Sequence, residues 1–360
     1  MLGGSAGTVD VVAAMKLPGV ERVVRLGPYA GSTAALAVVG RSNWHARRGA
    51  EALVVEWRQR PAGGLDSKAI LAALEQRARD ADANDGGFVF YSRGKVPPRG
   101  DAGGPRSVTQ VYRAPYLAHA AMEPINCTAR VADGKVEVWV PTQVPGLARA
   151  LAAEVAGVPL DAVTVHVTYL GGGFGRRLDV DFVGQAVRIA VECGGRPVQL
   201  VWSREEDMGH DFYRPAAAAV LRATLGEDGL PSALQITSAG DAITPRWIER
   251  GIPGLAGPVD TPDKTTSEGL FDQVYAIPHQ RIAHVATRNG VPVGYWRSVG
   301  HSHNAFFSES FLDELAHEAK QDPVGYRLAL LKDAPRHRAV LLLAAQKAGW
   351  PGHGPVRPLP

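Results

Sequence analysis

The chain has 360 residues, enough to bury a substantial core spread over two or more lobes. Its formal charge of +3 carries no long Lys/Arg run, which argues against nucleic acid as a partner, and 41 glycines with 26 prolines describe a loop-rich α/β enzyme rather than a helix bundle. With only Cys127 and Cys193 present, neither an iron–sulfur cluster nor a cysteine-based zinc site can be built on this chain. No apolar stretch approaches the roughly 20 residues that span a bilayer, and residues 1–10 lack the basic-then-apolar pattern of a signal peptide. That leaves the compartment open between cytoplasm and periplasm.

In chain order, residues 9–26 predict a short helix, a Pro-Gly turn and a strand. Residues 34–39 form an apolar strand, 43–52 a helix and 53–57 another strand. A surface helix is expected over 65–83, followed by a linker over 94–104, and a strand over 108–112. Asp133-Gly134 separates two strand-like runs, 127–132 and 135–140, which predicts a hairpin. Residues 145–155 are helical and lead into an alternating segment, 161–170 (D-A-V-T-V-H-V-T-Y-L), read as a strand. Residues 179–193 show apolar residues at helical spacing behind an acidic first turn. Beyond them lie a strand over 197–203 and a strand pair, 217–225 and 230–239, turning at Asp228-Gly229. An amphipathic helix over 304–320 is expected to turn Phe307, Phe311 and Leu315 inward. Asp322-Pro323 and Pro335 start two further helices, and residues 351–360 read as a disordered tail.

The most informative run is Gly171-Gly172-Gly173-Phe174-Gly175-Arg176-Arg177, set between a predicted strand and a predicted helix. Glycines there let bare backbone approach a ligand, with N–H groups and a helix dipole aimed at an anion. Two arginines add fixed positive charge suited to phosphate. A Walker loop is excluded because no Lys-Ser or Lys-Thr follows, and the dinucleotide fingerprint fails where Arg176 takes the third glycine position. A tight turn without a ligand stands as the alternative, as does a phosphate- or nucleotide-binding loop. His301 and His303 would share one face if extended, but no third ligand accompanies them.

Three further motifs stand in fixed order around this loop: Y-L-A-H-A-A-M-E-P-I-N-C-T over 116–128, P-T-Q-V over 141–144 and G-Y-W-R-S-V-G-H-S-H-N over 294–304. Together they resemble the large subunit of the molybdenum hydroxylases, the aldehyde oxidase and xanthine dehydrogenase family, in its isoquinoline 1-oxidoreductase beta-subunit-like branch. The resemblance implies an α/β fold: a partial a/b hammerhead domain over 1–60, a helix and linker over 61–105, and a first molybdenum-cofactor-binding region over 106–350. It implies oxidative hydroxylation of an aldehyde or N-heterocycle. The cofactor would be molybdenum–molybdopterin in its cytosine dinucleotide form, with iron–sulfur clusters on a small partner subunit. Gln143 and Arg297 would be catalytic, and Gln143, Gly172, Gly173, Phe174, Gly175 and Arg176 would hold the cofactor, with no side chain bound to the metal. Arg177 is left between a cofactor contact and a solvated helix-entry residue. Family large subunits also extend further at both ends and supply a base glutamate from the later half. Glu123 does not match that base, so the chain is expected to be incomplete at the site and inactive alone. A non-catalytic fragment or decayed paralogue is the competing reading.

Overall fold

The computed structural model describes residues 2–60, 62–97, 106–255 and 261–350. The tail expected over 351–360, and the linker from residue 98 onward, lie outside the described residues. The amino-terminal elements are β1 (Ser5–Asp10), α1 (Val12–Met15), β2 (Val20–Leu26), β3 (Ala35–Gly40), α2 (Asn43–Glu51) and β4 (Val54–Arg58). There follow α3 (Ser67–Ala83), β5 (Phe88–Arg93), β6 (Ser107–Ala114), β7 (Asn126–Ala132), β8 (Lys135–Val140), α4 (Pro145–Ala156), β9 (Val163–Val167) and α5 (Asp181–Val191). The remainder comprises β10 (Val198–Val201), α6 (Arg204–Gly209), β11 (Ala217–Leu225), β12 (Pro231–Asp241), α7 (Thr244–Gly251) and β13 (His279–Thr287). Three helices complete it: α8 (His301–Glu318), α9 (Pro323–Leu330) and α10 (Pro335–Lys347).

Two larger sheets organise the molecule. One has the order β5-β13-β12-β11-β6, with β12 and β13 parallel and the other pairs antiparallel. Along β11 the side chains alternate: Ala217, Ala219, Leu221 and Ala223 pack with Phe307, Phe311 and Leu315 of α8, while Ala218 and Val220 meet Leu74 and Ala78 of α3. Burying a side chain such as Phe307 contributes about 1.5–3 kcal/mol, so α8 is held by its expected inward face. The helix expected on the surface, α3, instead covers one side of this sheet, because its Leu74 and Ala78 are fully buried. Residues 61–105, read as helix and linker, thus supply both α3 and the edge strand β5 to the sheet.

The second sheet has the order β10-β7-β8-β9 and carries α4 and α5, whose Ala148, Ala152, Phe182, Val183 and Ala186 pack onto Cys127, Val136 and Val138. Asp133 and Gly134 both adopt positive φ, as the hairpin between β7 and β8 requires. Strands β8 and β9 are parallel and joined through α4, a crossover that brings their carboxyl ends side by side. Ahead of these, β1 pairs with β4 and β2 with β3, and Val24 and Leu26 pack against Ile189 and Cys193. The arrangement is the expected mixed α/β fold.

Strand β13 was not expected, since H-Q-R-I-A-H-V-A-T alternates weakly. Its polar members are satisfied inside: His284 Nδ1 lies 2.8 Å from Ser238 Oγ. Burial pushes the His284 ring down to about 4, and burial, with positive Arg214 and His284 nearby, pushes His303 down to about 3. The unfolded chain therefore takes up these protons first on acidification. Stability is expected to be intact above the ordinary histidine value of 6.5 and to fall as the pH drops from there toward 4. The loss at pH 4.5 is about 2–3 kcal/mol per ring. Thermal midpoints at pH 7 and 4.5 test this: His303→Gln should shrink the acid loss, and a wild-type midpoint unchanged between the two would refute it.

Candidate functional site

The chain leaves β8 through Pro141 and Thr142 to Gln143, and leaves β9 through Thr168 to the glycine run. Because the strands are parallel neighbours, both exits lie together; the Thr168 amide donates to the Val140 carbonyl at 3.1 Å. Loops beyond the carboxyl ends of parallel strands are where open α/β sheets place ligands. The Gln143 amide donates to the Arg177 carbonyl at 2.9 Å, and Thr142 Oγ1 donates to the same oxygen at 3.2 Å. A Cβ placed on Gly173 would meet Gln143 Oε1 at 2.9 Å. Gln143 and the glycine loop are therefore in contact.

The loop is anchored from outside itself. The Gly171 amide donates to Glu123 Oε2 at 2.9 Å, the Glu123 amide returns to the Gly171 carbonyl at 3.1 Å, and the Arg176 amide closes onto the Gly173 carbonyl at 2.9 Å. Among the described residues, the amides of Gly172, Gly173, Phe174 and Gly175 find no protein acceptor. Four successive donors held without partners form a cradle for an anion or an oxygen-rich group. Gly175 has φ +109, and a Cβ there would fall 1.8 Å from the Tyr295 carbonyl oxygen. The glycine loop thus rests directly on the backbone that leads, two residues later, to Arg297. Of eight non-glycine residues at positive φ among the described residues, four (Ala120, Phe174, Ser298 and Val299) belong to the three segments meeting here. Each costs on the order of 1–3 kcal/mol, and such strain gathers where function demands it.

The arginines behave differently from expectation. Arg176, expected to present charge to a cofactor, points into the interior with 2% exposure. Its Nη1 and Nη2 donate to the two oxygens of Asp181, each at 2.9 Å, and Asp211 Oδ1 lies 3.1 Å from its Nε. Phe212 and Trp202 stack over the guanidinium at 5.0 and 5.6 Å. Burial disfavours this cation, but the carboxylates of Asp181, Asp211 and Asp179 outweigh burial and keep it charged. Only the Arg176 backbone takes part in the loop, so the charged contact assigned to its side chain is corrected to a structural one. Arg177 is buried too, not a solvated helix-entry residue: its Nη2 donates to Glu123 Oε2 at 3.0 Å, and its Nη1 is buried with no partner among the described residues. Burial pushes its pKa down against the pull of Glu123. Glu123 is committed to Gly171 and Arg177, which explains why that carboxylate is not free to act as a base.

Arg297 lies on the exposed turn between Tyr295 and α8, with no hydrogen bond or ion pair among the described residues. His301 and His303 open α8 rather than an extended segment, which separates them: His301 meets Asp272 at 2.8 Å and His303 is buried. Sequence reasoning missed His119, Asp179, Asp211 and Arg250, which brace the site. Arg250 Nε donates to Asp179 Oδ1 at 2.6 Å and its Nη1 to the Val293 carbonyl at 2.7 Å. The available signal was the surplus of aspartates beside the double arginine, Asp179 and Asp181, which is more than a helix entry needs.

Around the loop stands an apolar rim: Tyr169 is fully exposed, Met122 is 89% exposed, and Leu170 and Phe174 are partly open. A separate cavity of about 1120 Å³ lies between β3, β4 and β10, and none of the residues expected at the site lines it.

A glycine cradle at paired strand ends, a glutamine against it and a strained arginine turn beside it define a cofactor-binding module. Residues 85–330 match the molybdopterin cofactor-binding domain, and the chain belongs to that family. It is 32% identical over 357 residues to isoquinoline 1-oxidoreductase subunit beta of Brevundimonas diminuta, covering 95% of this chain and 43% of that one. It is 27% identical over 346 residues to a membrane-bound aldehyde dehydrogenase of Gluconacetobacter polyoxogenes, covering 93% and 43%. Among solved structures, quinoline 2-oxidoreductase from Pseudomonas putida 86 shares the fold with a TM-score of 0.66 at 20% identity, over 96% of this chain and 49% of that one. The chain thus spans less than half the length of the curated relatives just named. No helix among the described residues is long and apolar enough to cross a membrane.

Proposed function

We propose that this chain supplies one wall of a molybdenum–molybdopterin site in an oxidoreductase that hydroxylates an aldehyde or N-heterocycle. The carrying observation is the set of unpartnered amides at Gly172, Gly173, Phe174 and Gly175, held against Gln143 and braced on the Arg297 turn. These groups fit a large anionic cofactor, because the glycines leave room that side chains would fill and their N–H groups have no other use. When bound, the molybdenum–pterin group supplies the two-electron redox chemistry of the hydroxylation. The chain's own residues bind and orient. The loop amides donate to the cofactor's oxygens, Gln143 presents its amide beside Gly173, Phe174 shields the seat from water, and Arg297 offers a free cation to developing negative charge. The cytosine dinucleotide form is the cofactor we favour.

Two cysteines, both buried, leave no set of thiolates for an iron–sulfur cluster, so electrons are proposed to pass to clusters on a small partner subunit. The base is proposed to come from outside these residues, since a base must lie within hydrogen-bond reach of its proton and Glu123 is already engaged. The apolar rim at Met122, Tyr169 and Phe174 suits the surface that the rest of the enzyme covers. Gly173→Val tests the seat: its branched side chain would strike Gln143 Oε1 and Arg177 Cγ, and Leu170 leaves no room on the third side. Molybdenum and pterin retained per chain should fall by at least tenfold, with the fold intact by circular dichroism. Undiminished retention would reject the loop as the cofactor seat. Retention of inorganic phosphate without pterin would favour a phosphate-binding protein.

A further inference from the structure

Between β6 and β7, the strained segment around Ala120 carries a buried histidine to which the proposed chemistry gives no role. His119 has 7% exposure, and both ring nitrogens face acceptors. Nδ1 lies 2.9 Å from each oxygen of Asp211, and Nε2 lies 2.8 Å from the Tyr295 carbonyl oxygen. The His119 amide also donates to Asp211 Oδ2 at 2.6 Å, so ring and backbone grip one carboxylate. The ring is thus held at both ends, between the Asp211 carboxylate and the Tyr295 carbonyl. Asp211 is itself held by Arg176, whose other partner, Asp181, opens α5. A continuous buried chain therefore runs from α5 through Arg176, Asp211 and His119 to one carbonyl, that of Tyr295.

That carbonyl is the atom against which Gly175 rests: a Cβ on Gly175 would sit 1.8 Å from it and 3.3 Å from His119 Nε2. A cation works in parallel one turn of chain away, since Arg250, fixed by Asp179, donates to the Val293 carbonyl. The two carbonyls flank Gly294, and Arg297 follows. Nothing else among the described residues donates to the Tyr295 carbonyl.

We propose that His119 is a positioning residue: it pins the Tyr295 carbonyl into the notch left by Gly175, and so sets the Arg297 turn at a fixed distance from the glycine cradle. The functional part of this inference rests on the reading of the cradle as a cofactor seat; the mechanical part does not.

The test therefore begins without cofactor. In the full chain, His119→Phe should raise the amide exchange rate of residues 294–300 and 171–176 at least tenfold, while amides of β11 and β12 keep their rates. His119→Gln, which retains one donor group, should restore part of the protection. If His119→Phe does not fold, His119→Gln is compared with Gly175→Ala, which displaces the same carbonyl from the other side and should loosen the same two segments. In the assembled enzyme, His119→Gln should lower kcat by tenfold or more and change KM less than threefold, because the turn is misplaced while substrate contacts persist. Unchanged exchange at 294–300, or acceleration spread evenly through the core, would overturn the proposal. Failure of the assembled wild-type enzyme to retain pterin would instead reject the cofactor seat, and the exchange pattern would still decide whether His119 holds the turn.

Discussion

Gly175→Ala is expected to separate the glycine loop from the Arg297 turn and to unseat the cofactor, although it adds a single methyl. The new Cβ would lie 1.8 Å from the Tyr295 oxygen and 2.6 Å from its carbonyl carbon. Both are backbone atoms, so no rotamer change relieves the clash. The φ of +109° lies beyond even the left-handed region that L-residues tolerate. Overpacking of this kind costs about 1–3 kcal/mol, and the backbone penalty adds about 1–2 kcal/mol. Gly157 supplies the control: it also has positive φ, +67°, but nothing lies within 4 Å of its Cβ position. Gly157→Ala should therefore lose only the backbone share. Denaturant midpoints, with molybdenum retained per chain, measure both effects. Equal stability and equal retention in the two variants would show that the contact with Tyr295 has no consequence.

Arg176→Met should lower stability by about 3–5 kcal/mol, the usual result of removing one member of a buried ion network. Methionine preserves much of the volume between Phe182, Trp202 and Phe212, so the loss reports mainly on charge. Asp181 and Asp211 would be left buried without their shared guanidinium, and only Asp211 would keep the contact with His119. In the native protein, burial raises the Asp211 carboxyl, but hydrogen bonding and positive charge from His119 and the charge of Arg176 together hold it below the usual range. Its contribution is thus present above the ordinary aspartate value and is lost as pH falls. Burial already holds the Asp181 carboxyl above its ordinary value against the pull of Arg176, and removing that pull pushes it up further. The deficit of Arg176→Met should accordingly be larger at pH 8 than at pH 5. Arg176→Lys keeps the charge but not the two-pronged contact with Asp181, and should lose less. A deficit below about 1 kcal/mol and independent of pH would contradict the assigned role.

Much of the local architecture was legible in the residues themselves. The hairpin at Asp133-Gly134, the helix opening at Pro145, the strand–glycine–helix order around 171–177 and the buried face of Phe307, Phe311 and Leu315 all depend on neighbours within one or two turns of chain. Gln143 was singled out by resemblance, and its contact with Gly173 follows once β8 and β9 pair in parallel.

What the sequence did not disclose are the choices made between distant groups. Strand β13 hides its pattern because His284 and Gln280 are buried; Gln280 is satisfied by the nearby Ile277 carbonyl, and His284 by Ser238, a partner that only the folded sheet supplies. Arg176 looked like a cofactor cation because two adjacent arginines beside glycines suit phosphate equally well. Its direction was decided by Asp211, 35 positions away, and by the aromatic rings that close over it. His119 and Tyr295 are 176 positions apart, and no periodicity links them. Helix and strand patterns repeat along the chain because hydrogen bonding and side-chain direction are local. The pairing of buried charges is set by which segments become neighbours in space, and the need to compensate each charge away from water selects the partner only after the fold has formed.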